Sequence, residues 1–197
     1  RAAGTIDNAL LQALVDSGFL PAIQPSGHMV LPAGIPGLPP VIAARLLAHV
    51  IRQVARRQAP PSTKALHHLA ARLACGRAAT LGGARFSRHE GGWLVTAEIG
   101  RRPMRLQMQG GETVIFAGMW EIASPFDAMI RHLGETGSGT TGGWTGAPGW
   151  CALPSLARRS MPVLETLDGA VIYPHLQVND MCVDTITHAT ARLLPLS

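Results

Sequence analysis

The spacing of apolar residues changes near Gly76, and this constrains the fold more than any other feature of the chain. Before that point apolar residues recur every three or four positions. Ile6, Leu10, Leu11, Leu14 and Val15 keep helical spacing, and Gly18 follows as a C-terminal stop. The proline- and glycine-interrupted stretch from Pro21 to Pro39 is expected to run extended over the surface. Pro39-Pro40 opens a second helix, Val41 to Arg57, because proline is tolerated in a first turn. Pro60-Pro61 separates it from a third, N-capped by Ser62 and ending at Gly76.

Beyond Gly76 the period shortens. Ala84 to Arg88 and Trp93 to Glu98 flank His89-Glu90-Gly91-Gly92, which predicts a β-hairpin with a four-residue turn. Met104 to Met108 and Thr113 to Phe116 are strand candidates around Gly110-Gly111. Ser124-Pro125 with Asp127 reads as a helix start, carrying a short helix to Leu133. Gly134 to Gly149 is rich in glycine and threonine and is expected to be a mobile loop. A short helix at Ser155 to Ser160, a strand at Ala170 to Tyr173 and an apolar segment reaching Leu196 complete the chain. The expected class is α+β. A helical linker subdomain at residues 1–77 precedes a small mixed α+β C-terminal subdomain at residues 78–197, with a β-hairpin and the glycine-rich loop at residues 134–149.

Charge narrows the function classes. With 17 basic residues against 12 acidic ones and a net charge of +5, the chain favours a polyanionic partner. Lys64 is the single lysine, so nearly all the positive charge sits on arginine, whose planar fork of donors matches phosphate oxygens. Hydrophobic residues make up 47%, enough to bury a core. Cys75, Cys151 and Cys182 form no CxxC pair, which points to a reduced, cytoplasmic setting. No apolar run of transmembrane length occurs, so no membrane role is expected. The chain opens Arg1-Ala2-Ala3-Gly4 without a methionine, and we expect it to be a piece of a larger protein.

Arg45, His49, Arg52 and Arg56 fall at i, i+4, i+7 and i+11 and make one stripe of the second helix, opposite Ala43, Leu47, Val50, Ile51 and Val54. Lys64, His68 and Arg72 repeat the arrangement on the third helix against Leu66, Leu69 and Leu73. No acidic residue lies between Val41 and Arg88. Like charges at these spacings repel, so a solvated helix normally interleaves both signs. Two helices without an acid fit a surface that neutralises backbone phosphates, and equally fit the exposed sides of amphipathic helices. Arg85, Arg88, Arg101, Arg102 and Arg105 extend the charge into the hairpin, although strand neighbours face opposite ways.

Other features offer less chemistry. Trp93 and Trp120 are expected in the core, leaving Trp144 and Trp150 as stacking candidates. His67-His68 point in different directions on a helix and do not readily chelate one ion, so no metal site is expected. The glycine-rich run from Gly134 to Gly143 lacks the Lys-Ser or Lys-Thr pair of a phosphate-binding P-loop. No nucleophile paired with a base is visible, and no catalytic residue is assigned.

The order of several segments resembles one family. Leu38-Pro39-Pro40-Val41-Ile42-Ala43-Ala44-Arg45, then Ala59-Pro60-Pro61-Ser62 and Leu66-His67-His68-Leu69, are similar to the region behind the catalytic domain of bacterial tRNA(Ile)-lysidine synthetases. Ala79 to Phe86 looks like that family's R-x-T-L-x-G stretch, with Arg77 in the arginine place. Ala157-Arg158-Arg159-Ser160-Met161-Pro162-Val163-Leu164 and Asp168-Gly169 through Leu176 resemble its closing R-x-x-x-P-x-L, D-G and P-x-L pattern. Phe116-Ala117-Gly118-Met119-Trp120 stands where relatives carry a Trp-Asp-Gly-Arg-Phe-like motif, and Ala97-Glu98 where the hairpin often ends Arg-Glu.

The resemblance implies the C-terminal region of a cytoplasmic, ATP-dependent ligase that attaches lysine to the wobble cytidine of an isoleucine tRNA. ATP with magnesium would belong to a missing N-terminal PP-loop domain, whose SGGxDS signature is absent here, so no cofactor is assigned to this chain. The implied partners are tRNA and that catalytic domain, and a homodimer is left open. Candidate RNA contacts are Arg45, His49, Arg52, Arg56, Lys64, His68, Arg72, Arg77, Arg85, Arg158 and Arg159. The competing expectation is a stand-alone protein-interaction domain using the apolar, proline-rich stretch from Leu31 to Pro40. A nucleotide-using enzyme built on the glycine-rich loop ranks behind both.

Overall fold

The computed structural model describes residue 14 and residues 22–56, 59–100, 104–134, 152–173 and 189–194. Helices and antiparallel sheets mix within it, so the α+β class holds. The chain divides into two compact units. One comprises Arg1–Gln24 with His28–Glu98, the other Pro25–Gly27 with Ile99–Ser197. The division expected at residues 77 and 78 therefore falls inside the first unit.

In the first unit, β1 (Met29–Leu31), a single 3-10 turn (Ile35–Gly37), α1 (Pro40–Ala55) and α2 (Thr63–Ala74) precede β2 (Ala79–Leu81), β3 (Ala84–His89) and β4 (Gly92–Ala97). The strands form one antiparallel sheet in the order β1-β4-β3-β2. Leu47, Val50, Ile51 and Val54 of α1 and Leu66, Leu69 and Leu73 of α2 share one core with Ala84, Phe86, Trp93 and Val95 of the sheet. An amphipathic helix must bury its apolar stripe against some partner layer, and here the β1–β4 sheet supplies one. This is why the hairpin joins the helical piece.

Pro21 to Pro39 departs from the expected surface segment. Met29, Leu31 and Ile35 are each 1% exposed, because Met29–Leu31 pairs with β4 and Ile35 seats in the core. Three alternating residues between prolines and glycines make too short a pattern to read as a strand.

The helix ends follow the chain chemistry closely. Pro39 precedes α1 and its carbonyl accepts from the Ile42 and Ala43 amides at 2.9 and 3.0 Å. The Ser62 hydroxyl accepts the Ala65 amide at 3.3 Å and caps α2. At the other end, Gly76 donates to the Leu73 carbonyl and Arg77 to that of Arg72. With Gly76 at a positive φ, this pair of bonds is the Schellman closure of a helix.

In the second unit, β5 (Arg105–Met108), β8 (Ala128–His132), β9 (Pro162–Thr166) and β10 (Val171–Ile172) form one antiparallel sheet in the order β10-β9-β8-β5. A second sheet of β6 (Thr113–Phe116), β7 (Trp120–Ala123) and β11 (Thr190–Leu193) has the order β11-β7-β6. The Phe116 and His132 rings, one from each sheet, meet with centroids 4.9 Å apart. A short helix, α3 (Ser155–Ser160), leads into β9 and matches the expected span.

The helix expected from Ser124 to Leu133 is instead a turn followed by β8. The Ser124 hydroxyl closes on the Phe126 amide and carbonyl, and the Asp127 carboxylate accepts the Gly110 amide at 2.8 Å. Such residues offer the backbone a local alternative to a helix. Ala128, Ile130 and His132 are then buried while Met129 and Arg131 are half-buried, the alternation of a strand. Arg131 bonds Glu165 of β9 at 2.8 Å. The first helix, most of the glycine-rich segment, Trp144, Trp150 and the family-like stretch beyond Tyr173 lie outside the described residues.

A candidate polyanion-binding face

The first unit segregates charge along the chain. Arg45, Arg52, Arg56, Arg57, Lys64, Arg72, Arg77, Arg85 and Arg88 all fall between Ser17 and His89, where there is no aspartate or glutamate. Because α1 and α2 bury their apolar sides in the same core, they form one layer over the sheet and turn their polar sides outward. Arg45, Arg52, Lys64, His68 and Arg72 are exposed there. In isolation, a layer of this sign repels itself and attracts phosphate.

The stripe on α1 is graded. His49 is half-buried and meets the Gln53 amide nitrogen at 3.4 Å. Burial holds its imidazole below the ordinary value, and the neighbouring Arg52 charge acts the same way. Arg56 closes α1 in the left-handed conformation at φ 53, donating its amide to the Arg52 carbonyl, and it too is half-buried. Burial lowers the pKa of its guanidinium. Of the four residues in the stripe, Arg45 and Arg52 are therefore the exposed ones.

Around the end of α2, two arginines have structural partners. The Arg72 guanidinium donates to the Ala78 carbonyl at 3.1 Å, tying the helix end to the approach of β2. Arg88 lies 4.6 Å over the Trp93 ring across the β3–β4 pair, a cation–π contact. Arg77 is exposed just after the helix.

Other candidates lie elsewhere. Arg85 alternates with Ala84 and Phe86 on β3, so it is exposed on the face of the sheet away from the helices. Arg158 and Arg159 belong to α3 of the second unit, where both are half-buried. Sequence reasoning left His67 out of the RNA contacts, yet it is exposed on α2 beside His68. Its position three residues after Lys64 was the available signal.

The apolar stretch expected as the alternative protein-binding surface contributes Leu31 and Ile35 to the core. Pro32, Ala33, Pro39 and Pro40 of that stretch are exposed, and just beyond it, at the start of α1, Val41 and Ile42 are 59% and 39% exposed. Gly82-Gly83 is the β2–β3 turn. A Cβ at Gly82 would sit 2.8 Å from Ile51 Cγ2 and 3.1 Å from Pro61 Cγ, so this glycine serves close packing against α1. Among the described residues no group of three histidine, cysteine, aspartate or glutamate side chains could hold a metal ion, and no helix is long and apolar enough to cross a membrane.

Fold and face together define an α+β protein whose most distinctive surface is a cationic two-helix layer. In comparison with known proteins, no family model, curated protein or solved structure gives a significant match.

Proposed function

We propose that this chain is the non-catalytic C-terminal region of a tRNA(Ile)-lysidine synthetase, binding and orienting tRNA for lysine attachment by an ATP-dependent catalytic domain. The observation that carries the reading is the helix layer bearing Arg45, Arg52, Lys64 and Arg72 in a stretch with no carboxylate from Ser17 to His89. The order of the family-like segments supplies the family. ATP and magnesium would belong to that catalytic domain, and no chemical step is assigned to the described residues.

The test is binding of the 197-residue chain to unfractionated tRNA across a salt series, with duplex DNA beside it. Log affinity is expected to fall linearly with log salt. An Arg45→Ala, Arg52→Ala variant should weaken binding to all RNA sequences alike and reduce the salt slope by about two, roughly one for each phosphate that is no longer neutralised. An unchanged slope in that variant would remove α1 from the RNA interface. Absence of binding at low salt would favour the protein-interaction alternative, centred on the exposed Val41 and Ile42.

A further inference from the structure

The outer side of α2 carries two histidines inside its row of cations. Lys64 lies three residues before His67 and four before His68, and Arg72 lies four after His68. Residues at these separations are neighbours on a helix surface, and all four are exposed. Among the described residues, none bonds to the side chains of Lys64, His67 or His68.

Among the described residues, the charged groups on α2 and on the elements packed against it share one sign. On α2 these are Lys64 and Arg72, and on the adjoining α1 they are Arg45, His49, Arg52 and Arg56. The 3-10 turn and β2 contribute no charge, and the exposed Cys75 thiol and Arg77 follow at the helix end. The nearest carboxylates along the chain on the C-terminal side, Glu90 and Glu98, flank the two ends of the hairpin strand β4.

We propose that polyanion binding at this face is coupled to proton uptake by His67 and His68, so that its affinity for RNA is set by pH. The inference rests on the tRNA-binding reading and gives that site its regulation. A bound phosphate backbone would give each imidazolium a negative partner, so the complex favours the protonated rings. By linkage, whatever favours the imidazolium in the complex makes the complex tighter as pH falls through the histidine range. Each imidazolium that neutralises a phosphate also releases counterions, so the salt dependence steepens along with the affinity. His49 is left out because its ring is half-buried against Gln53.

The experiment measures binding of the 197-residue chain to unfractionated tRNA at pH 8.0 and at pH 6.0, with the fold checked by circular dichroism at both. Calorimetry at pH 6.5, in two buffers of different ionisation enthalpy, counts the protons taken up. A His67→Asn, His68→Asn variant is run in parallel, both positions being exposed so that the fold should tolerate the change. The expected result is affinity at least about threefold higher at pH 6.0, proton uptake on binding, and a salt slope steeper by about one unit. The variant should lose the gain, binding with the same affinity at pH 6.0 as at pH 8.0. Binding with the same affinity at both pH values overturns the coupling while leaving the tRNA reading intact, as does a variant that retains the full pH dependence. No binding at either pH in low salt overturns both.

Discussion

Gly92 shows how one residue can fix a sheet. The sequence reads it as the last residue of a turn, but it opens β4 opposite His89, and the turn itself is only Glu90-Gly91, both at positive φ. Two such residues make the connection whose twist suits a two-residue hairpin. Gly92 lies directly under β1, and a Cβ there would press into the Leu31 carbonyl oxygen. A Gly92→Ala variant should therefore push β1 off the sheet edge. The expected loss is roughly 1–3 kcal/mol, as for other overpacked sites, read as a lower urea midpoint. An unchanged midpoint would mean that β1 moves aside freely.

The residues in the Trp-Asp-Gly-Arg-Phe place can be read at the same scale. Phe116 and Trp120 face each other across the β6–β7 hairpin and are both buried, at 0% and 1% exposed. Ala117 and Gly118 in the connection take positive φ. The segment thus places two large side chains in the interior of the second unit.

Among the elements, α2 depends most visibly on its ends. Its first turn has no acidic residue to complement the helix dipole, which leaves the Ser62 hydroxyl as the side chain that satisfies an early amide. Ser62→Ala is expected to lower stability by about 1 kcal/mol, within the usual range of roughly 0.5–2 for a lost N-cap. A thermal melt of the variant decides the matter, and an unshifted midpoint would show that water replaces the hydroxyl. The strands of the second unit rely on paired side chains across register. Arg192, exposed, and Glu121, half-buried, sit directly opposite on β11 and β7 with N to O 2.7 Å, a surface pair that contributes little on its own.

For the whole molecule, acid stability follows from buried histidines in both units. Burial holds the rings of His28, His49 and His132 below their ordinary value of 6.5, with the His89 charge adding to the effect at His28. At His132 the Nδ1 hydrogen bond to the Ser160 carbonyl, 2.9 Å long, works in the opposite direction but does not cancel burial. The unfolded chain thus binds more protons than the folded one once pH drops below about 6.5. Stability contributed by the neutral rings is full above that value and is lost as pH falls towards the folded-state values. The melting temperature should decline between pH 7 and pH 5, and His132→Asn should flatten part of the decline. An equally steep decline in that variant would place the proton uptake elsewhere.

Elements with local signals were legible in the amino-acid order. Paired prolines, the Ser62 cap and the Gly76 stop bounded α1 and α2 nearly to the residue, and the apolar spacing named their buried sides correctly. The two strand candidates flanking His89-Glu90-Gly91-Gly92 marked the β3–β4 hairpin, and the short helix at Ser155–Ser160 was also legible. Charge order alone isolated the cationic stretch, because a run without carboxylates is visible in one dimension. What those elements pack against was decided in three dimensions. Short strands such as Met29–Leu31 acquire their identity from partners distant in the chain, and a Ser-Pro-x-Asp start becomes a turn once Asp127 finds the Gly110 amide. The candidate site divided in the same way. Helical spacing placed Arg45, Arg52, Lys64, His68 and Arg72 outward, whereas the pleat turned Arg85 to the other side of the sheet and packing half-buried His49 and Arg56. Local chemistry determines where a helix starts and which side is apolar. Burial is a property of the neighbours a residue meets, and those neighbours are chosen by contacts across the chain.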